Sequence, residues 1–236
     1  RGLGDVYKRQ AYSLDDILQL KVTIPAGFRP FQYFSDYLKQ GYYPFPKNDY
    51  ENLLLQIVNV SIESDIPQYA GMNVSTARKL KQLLAVIAKS VPFKPNISSL
   101  ASVLNVSRNS VADYCLYIEE AGMIAQLRDD TGGIRGLGKV NKIYLDNTNL
   151  IYALGREGVE IGNVRETFFF NQLRVNQDVI TSSVSDFKID GYTFEVGGRK
   201  KGQKQIEGID NAFVVKDDIE YGHGNVIPLW TFGFNY

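Results

Sequence analysis

Residues 185–198 read SDFKIDGYTFEVGG and contain the clearest turn signal in the last third of the chain. Asp190 and Gly191 form a strong two-residue turn signal, because a tight hairpin needs positive φ angles that these residue types tolerate. The flanking residues have the short, turn-bounded pattern of strands. The sequence therefore predicts a β-hairpin in which Ile189 lies opposite Tyr192.

Two carboxylates lie further along the same predicted hairpin. Counting outward from the turn sets Asp186 opposite Glu195 on one side of the sheet. Opposed like charges are unfavourable unless a cation lies between them, and divalent cations bound by carboxylate oxygens often meet that need. We therefore treat Asp186 and Glu195 as a candidate Mg²⁺ site. A surface salt-bridge cluster is the competing interpretation, since basic residues follow in the next loop: Arg199, Lys200, Lys201 and Lys204.

The segments around the hairpin complete a mixed α/β region. Residues 164–175 predict a helix, on which Glu166 adds a third carboxylate, pairs with Arg165 or caps the helix start. Strand-like residues precede the hairpin, residues 201–215 suggest a helix running into a strand, and residues 225–234 suggest a final strand. The predicted order α, β, β, β, α, β implies a mixed sheet with flanking helices.

Residues 97–124, ISSLASVLNVSRNSVADYCLYIEEAGMI, predict a helix-turn-helix with its turn at 105–107 and its second helix capped by Ser107. Two candidate strands follow at 123–127 and 140–145, which makes the unit a winged helix. Base edges are usually met by residues at the start of the second helix. The nucleic-acid-binding candidates there are Arg108, Asn109 and Ser110.

The loop between the two candidate strands is rich in glycine. Its residues 133–139 match the spacing of a phosphate-binding loop, but Val140 follows where a hydroxyl must meet Mg²⁺. We interpret it as the wing of the winged helix, whose cations could contact a nucleic-acid backbone: Arg135, Lys139 and Lys142. Acidic residues later in the second helix repel phosphate, so DNA binding and a protein-contacting role both stay open.

The first part of the chain, from Ser13 to about Pro92, has a helical pattern that predicts a bundle. Over the whole chain, 26 Lys and Arg balance 26 Asp and Glu, so any nucleic-acid contact must come from a local patch. One cysteine and one histidine exclude an internal disulfide and a Cys/His zinc cluster. No apolar run approaches the roughly 18 residues of a membrane helix, so we expect a cytoplasmic protein without membrane contact.

Six segments occur in an order that resembles a known family: FSDYLKQGYYPF, SRNSVADYCLYIEEAGMI, KIYLDNTNLIYAL, RETFFFNQL, DFKIDGYTFEVGGRKKGQKQI and IPLWTFGF. Together they resemble the C-terminal portion of prokaryotic ATPases of the AAA superfamily. The resemblance covers about residues 30–236 and is most specific from Arg165 to Ile206.

The resemblance implies a domain organisation. Residues 11–95 would be a helical region like the ATPase lid, 96–155 a winged helix, and 156–236 a domain similar to the PD-(D/E)XK nuclease fold. Residues 1–10, RGLGDVYKRQ, look like a translated sequencing adapter and are expected to carry no function. The ATP-binding motif would lie before residue 1, so the missing ATPase domain is an expected partner and ATP hydrolysis is not expected here.

The resemblance also assigns roles at the nuclease-like site. Glu166 matches the helical acid of the family pattern, Asp186 the strand acid and Glu195 the second acid. The pattern has lysine two residues after the second acid, but Gly197 stands there. Lys200 or Lys201 would have to reach in to complete a catalytic set, so the resemblance implies a weak or silent nuclease.

We therefore expect the C-terminal part of an AAA-family ATPase that acts as a DNA- or partner-recognition module with a degenerate nuclease-like domain. An active Mg²⁺-dependent nuclease is the first alternative. It would use Glu166, Asp186 and Glu195 with help from Lys200 or Lys201. A module that binds only proteins is the second alternative.

Overall fold

The protein is described here by a computed structural model. It describes residues 11–92, 94–131, 138–155 and 158–235. The expectations for residues 1–10 and for Arg135 fall outside these ranges.

Within the described ranges the chain is of mixed α+β class and forms nine α-helices and seven strands. The helices are α1 (Leu14–Leu18), α2 (Pro30–Gln40), α3 (Tyr50–Val60), α4 (Ile66–Tyr69), α5 (Val74–Ser90), α6 (Ile97–Leu104), α7 (Arg108–Glu120), α8 (Thr148–Gly155) and α9 (Ile161–Leu173). The strands are β1 (Ile124–Arg128), β2 (Val140–Leu145), β3 (Ile180–Thr181), β4 (Phe187–Ile189), β5 (Tyr192–Gly197), β6 (Ala212–Lys216) and β7 (Val226–Pro228).

The chain divides into two compact units. The sheet unit comprises the described residues of 1–42, 128–139 and 160–236, and the helical unit comprises those of 43–127 and 140–159. This division differs from the sequence-based boundaries at 95 and 155, because α1 and α2 belong with the C-terminal elements. The backbone N–H of Tyr12 donates to the carbonyl of Phe234 at 3.0 Å. The ring of Phe34 meets that of Phe168 edge to face, with centroids 4.8 Å apart.

The sheet unit is organised around the strands β3, β4, β5, β6 and β7, hydrogen-bonded in that order. Strand β4 pairs antiparallel with both β3 and β5, whereas β5, β6 and β7 pair in parallel. Arg128, which also belongs to this unit, pairs in parallel with Ile180. Strand β5 therefore lies inside the sheet, and four of its six residues are buried.

The predicted hairpin is confirmed, and its register is as predicted from Phe187 to Ile189. Ile189 pairs with Tyr192 and Phe187 pairs with Phe194 across β4 and β5. The turn residues both have positive φ angles, 47° at Asp190 and 86° at Gly191. That is the backbone of the tight turn whose twist matches the twist of the flanking strands.

Phe169 of α9 forms the centre of the aromatic core on one face of this sheet. Its ring lies 5.1 Å from that of Phe187, 5.2 Å from that of Phe194 and 4.8 Å from that of Phe232. Because side chains alternate along a strand, Glu195 projects from the opposite face of β5. The sheet thus separates an aromatic core from the face that bears the acid.

Two elements predicted after β5 differ in the structure. The helix expected after Lys201 is a single 3-10 turn, Lys204–Ile206, although the strand after it forms as β6. Gly202 and Gly208 leave only five residues between them, fewer than a stable α-helix needs. The expected final strand is short as well, because β7 stops at Pro228 and a 3-10 helix, Leu229–Phe234, follows.

The helical unit contains the predicted pair of helices α6 and α7. Asn105 ends α6 in the left-handed conformation, with φ at 50°, and the side chain of Ser107 accepts from the N–H of Ser110 to start α7. The Lys79 ammonium of α5 donates to the carbonyl of Asn105 at 3.2 Å and so holds the turn against its neighbour. Strands β1 and β2 then form at the predicted places.

None of the helices in the described ranges is long and apolar enough to cross a membrane.

Candidate functional site

The candidate site is built around Glu195, which is 1% exposed on the interior strand β5. Both of its carboxylate oxygens have partners. Oε1 pairs with the Lys201 ammonium, and Oε2 accepts from the Ser185 hydroxyl at 2.6 Å. A buried carboxylate needs such compensation, since an isolated charge is costly to remove from water. The site is thus a buried acid held at two points by the chain itself.

Lys201 is the basic residue of the loop after β5 that contacts Glu195. Its side chain crosses the backbone at Gly197, where an added Cβ would lie only 2.7 Å from the Lys201 Cγ atom. Gly197 and Glu195 are two residues apart and share one face of β5. Lys200 is exposed instead, so of the two lysines considered from sequence the structure brings Lys201 to the acid.

The charge of Lys201 is stabilised by this environment. Burial alone lowers the pKa of an ammonium, but its hydrogen bond to Glu195 and the negative charges of Glu195, Asp186 and Glu166 outweigh that effect and raise the pKa of Lys201. Three carboxylates predicted from sequence therefore act on one ammonium. The Lys201 ammonium thus contacts Glu195 and supplies positive charge near the other two acids.

Asp186 does not lie directly opposite Glu195, although counting outward from the turn predicts that it does. Its N–H donates to the carbonyl of Phe194 at 3.2 Å, although Phe187 is already paired with that residue. Two consecutive residues thus oppose one, which is the pattern of a β-bulge. The Asp186 carboxylate accepts from the N–H of Val196 at 2.9 Å instead of continuing the ladder opposite Glu195.

Ser185 is the site residue that sequence reasoning missed. Its hydroxyl lies 2.6 Å from Glu195 Oε2 and 2.7 Å from the carbonyl of Phe194. The preceding turn holds it, because the Ser182 hydroxyl accepts from the N–H groups of Val184 and Ser185. The only signal in the sequence is its place directly before Asp186, at the bulge.

A second ion pair ties α9 to the ends of the neighbouring strands. Arg165 Nε donates to Asp217 at 2.9 Å, and both side chains are largely buried. The N–H of Asp217 in turn donates to the carbonyl of Gly197. Arg165 precedes Glu166 on the helix, so this pair fixes the helical acid relative to β5. Arg165 also lies 3.5 Å from a carboxylate oxygen of Asp218, so it binds two consecutive aspartates.

The loop after β5 adds positive charge at the edge of this site. Residues 198–206 contain four cations and no acid. Lys201 is engaged by Glu195, whereas the side chains of the other three are exposed: Arg199, Lys200 and Lys204. An exposed cluster of this kind suits a phosphate-bearing ligand.

The candidate ligands for a divalent cation at this site are the carboxylates of Asp186 and Glu195. In the part of the chain that the structure describes, no group of three or more His, Cys, Asp or Glu side chains is arranged as a metal site. Mg²⁺, however, is usually held by one or two carboxylates together with waters and substrate phosphates. In the candidate site the carboxylate of Glu195 contacts Lys201 directly, and Asp186 adds negative charge at the same ammonium.

The candidate nucleic-acid residues of the helical unit lie at the start of α7. Arg108 and Asn109 are exposed, while the Ser110 hydroxyl is 2.9 Å from that of Ser107. One of the acids expected to repel phosphate is turned away, since Glu119 accepts from the backbone and side chain of Gln126 at 2.7 Å. Lys139, directly before β2, is exposed, whereas Lys142 within β2 is half-buried.

Comparison with known proteins gives one match. A family model described as a domain of unknown function (DUF8612) matches residues 32–160. The chain belongs to this family. The match covers more than half of the chain and ends before α9, so the site around Glu195 lies outside it. No curated protein and no solved structure matches the chain.

Proposed function

We propose that this DUF8612 protein binds nucleic acid and that its sheet unit hydrolyses phosphodiester bonds with the help of a divalent cation. The observation that carries the proposal is the Lys201 ammonium on the buried Glu195, with Asp186 and Glu166 acting on the same charge. The absence of lysine at position 197 had favoured a silent nuclease. Lys201 removes that objection because it brings the same functional group to the acid.

The proposed roles follow from the chemistry of each side chain. Asp186 and Glu195 would hold Mg²⁺, which supplies charge neutralisation at a phosphate and a more acidic bound water. Lys201 keeps its proton because its pKa is raised, so it would stabilise negative charge on a phosphate. Ser185 orients the Glu195 carboxylate. The exposed cations of residues 198–206 would hold the flanking phosphates of a nucleic acid.

The fold gives this proposal further support. A helix followed by an antiparallel three-stranded meander and then a parallel strand is the order in α9, β3, β4, β5 and β6. This order suits the PD-(D/E)XK nuclease-like fold that the sequence resemblance implies. We also propose, on that resemblance, that the chain acts in the cytoplasm together with an AAA ATPase domain.

A nuclease assay tests the proposal. Purified protein is incubated with supercoiled plasmid and with single-stranded DNA in EDTA, Mg²⁺ or Mn²⁺. We expect cleavage only with metal, and a loss of about a hundredfold or more in Glu195→Gln and Lys201→Met, as for the removal of a preorganised charge. Lys200→Met is the matched control: it should leave kcat near the wild-type value and at most raise KM, because its side chain does not reach the acid and can contribute only a phosphate contact. Metal-independent cleavage, or full activity in Glu195→Gln, would refute the assignment.

The helix-turn-helix supports a second candidate function, recognition of DNA by the helical unit. The exposed Arg108 and Asn109 at the start of α7, followed by strands β1 and β2, suit a winged helix that reads a groove. Replacing both residues by Ala should weaken DNA retardation at low salt and reduce the salt slope by about one. Asp113→Asn should strengthen binding, because it removes a repulsive charge from the exposed face of α7. Unchanged retardation in both variants would leave this unit a role in protein contacts.

A further inference from the structure

The glycine at position 197 is not required by the backbone. Gly197 and Gly198 both lie outside the positive-φ glycines of the described chain, so an L-residue could adopt either conformation. At each position the side chain of another residue occupies the space that a Cβ atom would need. Glycine at positions 197 and 198 is therefore explained by the neighbouring side chains of Lys201 and Arg165.

The space beside Gly197 is filled by the stem of Lys201. A Cβ built on Gly197 would lie 2.8 Å from the Cβ, 2.7 Å from the Cγ and 2.8 Å from the Cδ of that lysine. These atoms belong to the fixed part of the side chain and not to its mobile end. An added methyl group cannot be relieved by a small rotation at the ammonium, so the whole lysine would have to move.

The backbone of the loop leaves Lys201 little choice of route. Its N–H donates to the carbonyl of Gly198 at 2.9 Å, which closes a tight turn and fixes where the side chain begins. Glu195 projects from the same face of β5 as position 197. The direct path from Lys201 to the carboxylate thus runs over the Cα of Gly197.

Gly198 provides a natural comparison. A Cβ there would lie 2.9 Å from a terminal nitrogen of Arg165 and would disturb a different cation, the one paired with Asp217. The two adjacent glycines each admit one long cationic side chain. Of these two side chains only Lys201, which passes over Gly197, contacts Glu195.

We propose that Gly197 is a positioning residue that places the Lys201 ammonium on Glu195, so that the lysine function of this site is supplied from the loop and is interchangeable with a lysine at position 197. The proposal rests on the proposed function for the role of that lysine in hydrolysis. The positional part concerns only this chain's own residues, and it is tested separately.

The first experiment measures how fast Lys201 is acetylated by acetic anhydride in the full chain, with peptide mass spectrometry as the readout. We expect Lys201 to be protected in the wild type, and Gly197→Ala to lose that protection while Gly198→Ala keeps it. Acetylation of the exposed Lys200 serves as the internal standard in each sample. Equal protection of Lys201 in wild type and Gly197→Ala would overturn the proposal, as would equal loss in both alanine variants.

The second experiment compares unfolding and cleavage in a set of combined variants. If the damage in Gly197→Ala comes from the lysine stem, the same substitution should cost little stability in a Lys201→Ala background. In the nuclease assay, Gly197→Ala should lower kcat by about a hundredfold, as for an approximately 1 Å misplacement. Gly197→Lys with Lys201→Ala should recover activity to within about tenfold of the wild type.

The outcomes separate the two proposals. Additive destabilisation in the alanine pair would show that Gly197 acts independently of Lys201 and would overturn the inference. Failure of a folded Gly197→Lys/Lys201→Ala chain to cleave, when the wild type does, would overturn interchangeability. If no variant and no wild-type sample cleaves, the proposed function fails, while loss of Lys201 protection in Gly197→Ala still establishes the positioning role.

Discussion

Removing the lysine from its buried partner should destabilise the sheet unit in a way that can be measured directly. In Lys201→Met the apolar stem is kept over Gly197, but Glu195 loses the cation on Oε1. Glu195 is 1% exposed, whereas the Lys201 side chain is 35% exposed. Breaking a fully buried pair costs about 3–5 kcal/mol, and an exposed pair contributes about 0–1 kcal/mol. With one exposed partner and the Ser185 hydroxyl still bound, we expect a loss of about 2–3 kcal/mol in the free energy of unfolding.

The assay uses a reporter that the chain already contains. Trp230 is the only tryptophan, and it is buried in the sheet unit, so its fluorescence during urea unfolding follows this unit. Lys200→Met is the matched control and should change stability by no more than about 0.5 kcal/mol. Lys201→Met combined with Glu195→Gln should recover most of the loss, because the unpaired charge is gone.

The difference in the free energy of unfolding between wild type and Lys201→Met should change with pH in one direction. The pKa of Lys201 is raised above its ordinary value of 10.5, so its stabilising contribution is fully present below that pH. It is lost as pH rises through the higher pKa of the folded state. The stability difference between wild type and Lys201→Met should therefore be constant through neutral pH and shrink in strongly alkaline solution. A Lys201→Met variant as stable as Lys200→Met at pH 7 would refute the buried ion pair.

Three further outcomes follow from local geometry. Asp15→Asn should lower the pKa of Tyr192 towards its ordinary value, because the hydrogen bond and the charge of Asp15 raise it; ¹³C NMR of the tyrosine ring carbons measures this. Ser107→Ala should cost the helical unit about 1 kcal/mol through loss of the α7 cap, as seen in urea unfolding followed by circular dichroism. Gly191→Ala should cost about 1–2 kcal/mol, because an alanine must adopt a φ of 86° in the turn, and tryptophan fluorescence reports that loss.

Local sequence patterns were sufficient for much of the fold. The turn at Asp190 and Gly191 and the cap at Ser107 are both features whose hydrogen bonds close within a few residues. Such features depend on residue type and spacing, so they can be predicted without knowing the tertiary structure. The helix predicted after Lys201 does not form, because only five residues lie between Gly202 and Gly208.

The candidate site could be predicted only in part. The register of the hairpin brought Asp186 and Glu195 to one region, and the family resemblance added Glu166. The bulge at Asp186 was not predictable, since it depends on hydrogen bonds across the sheet to Phe194 and Val196. Ser185 was missed for the same reason.

Residue types and their spacing were enough to identify the carboxylates, the hairpin that brings two of them to one region and the glycine at position 197. That Lys201, and not Lys200, reaches Glu195 depends on the folded chain. Adjacent lysines are equivalent in sequence, but a tight turn at Gly198 and an open path over Gly197 give one of them access to a carboxylate that burial leaves in need of a cation.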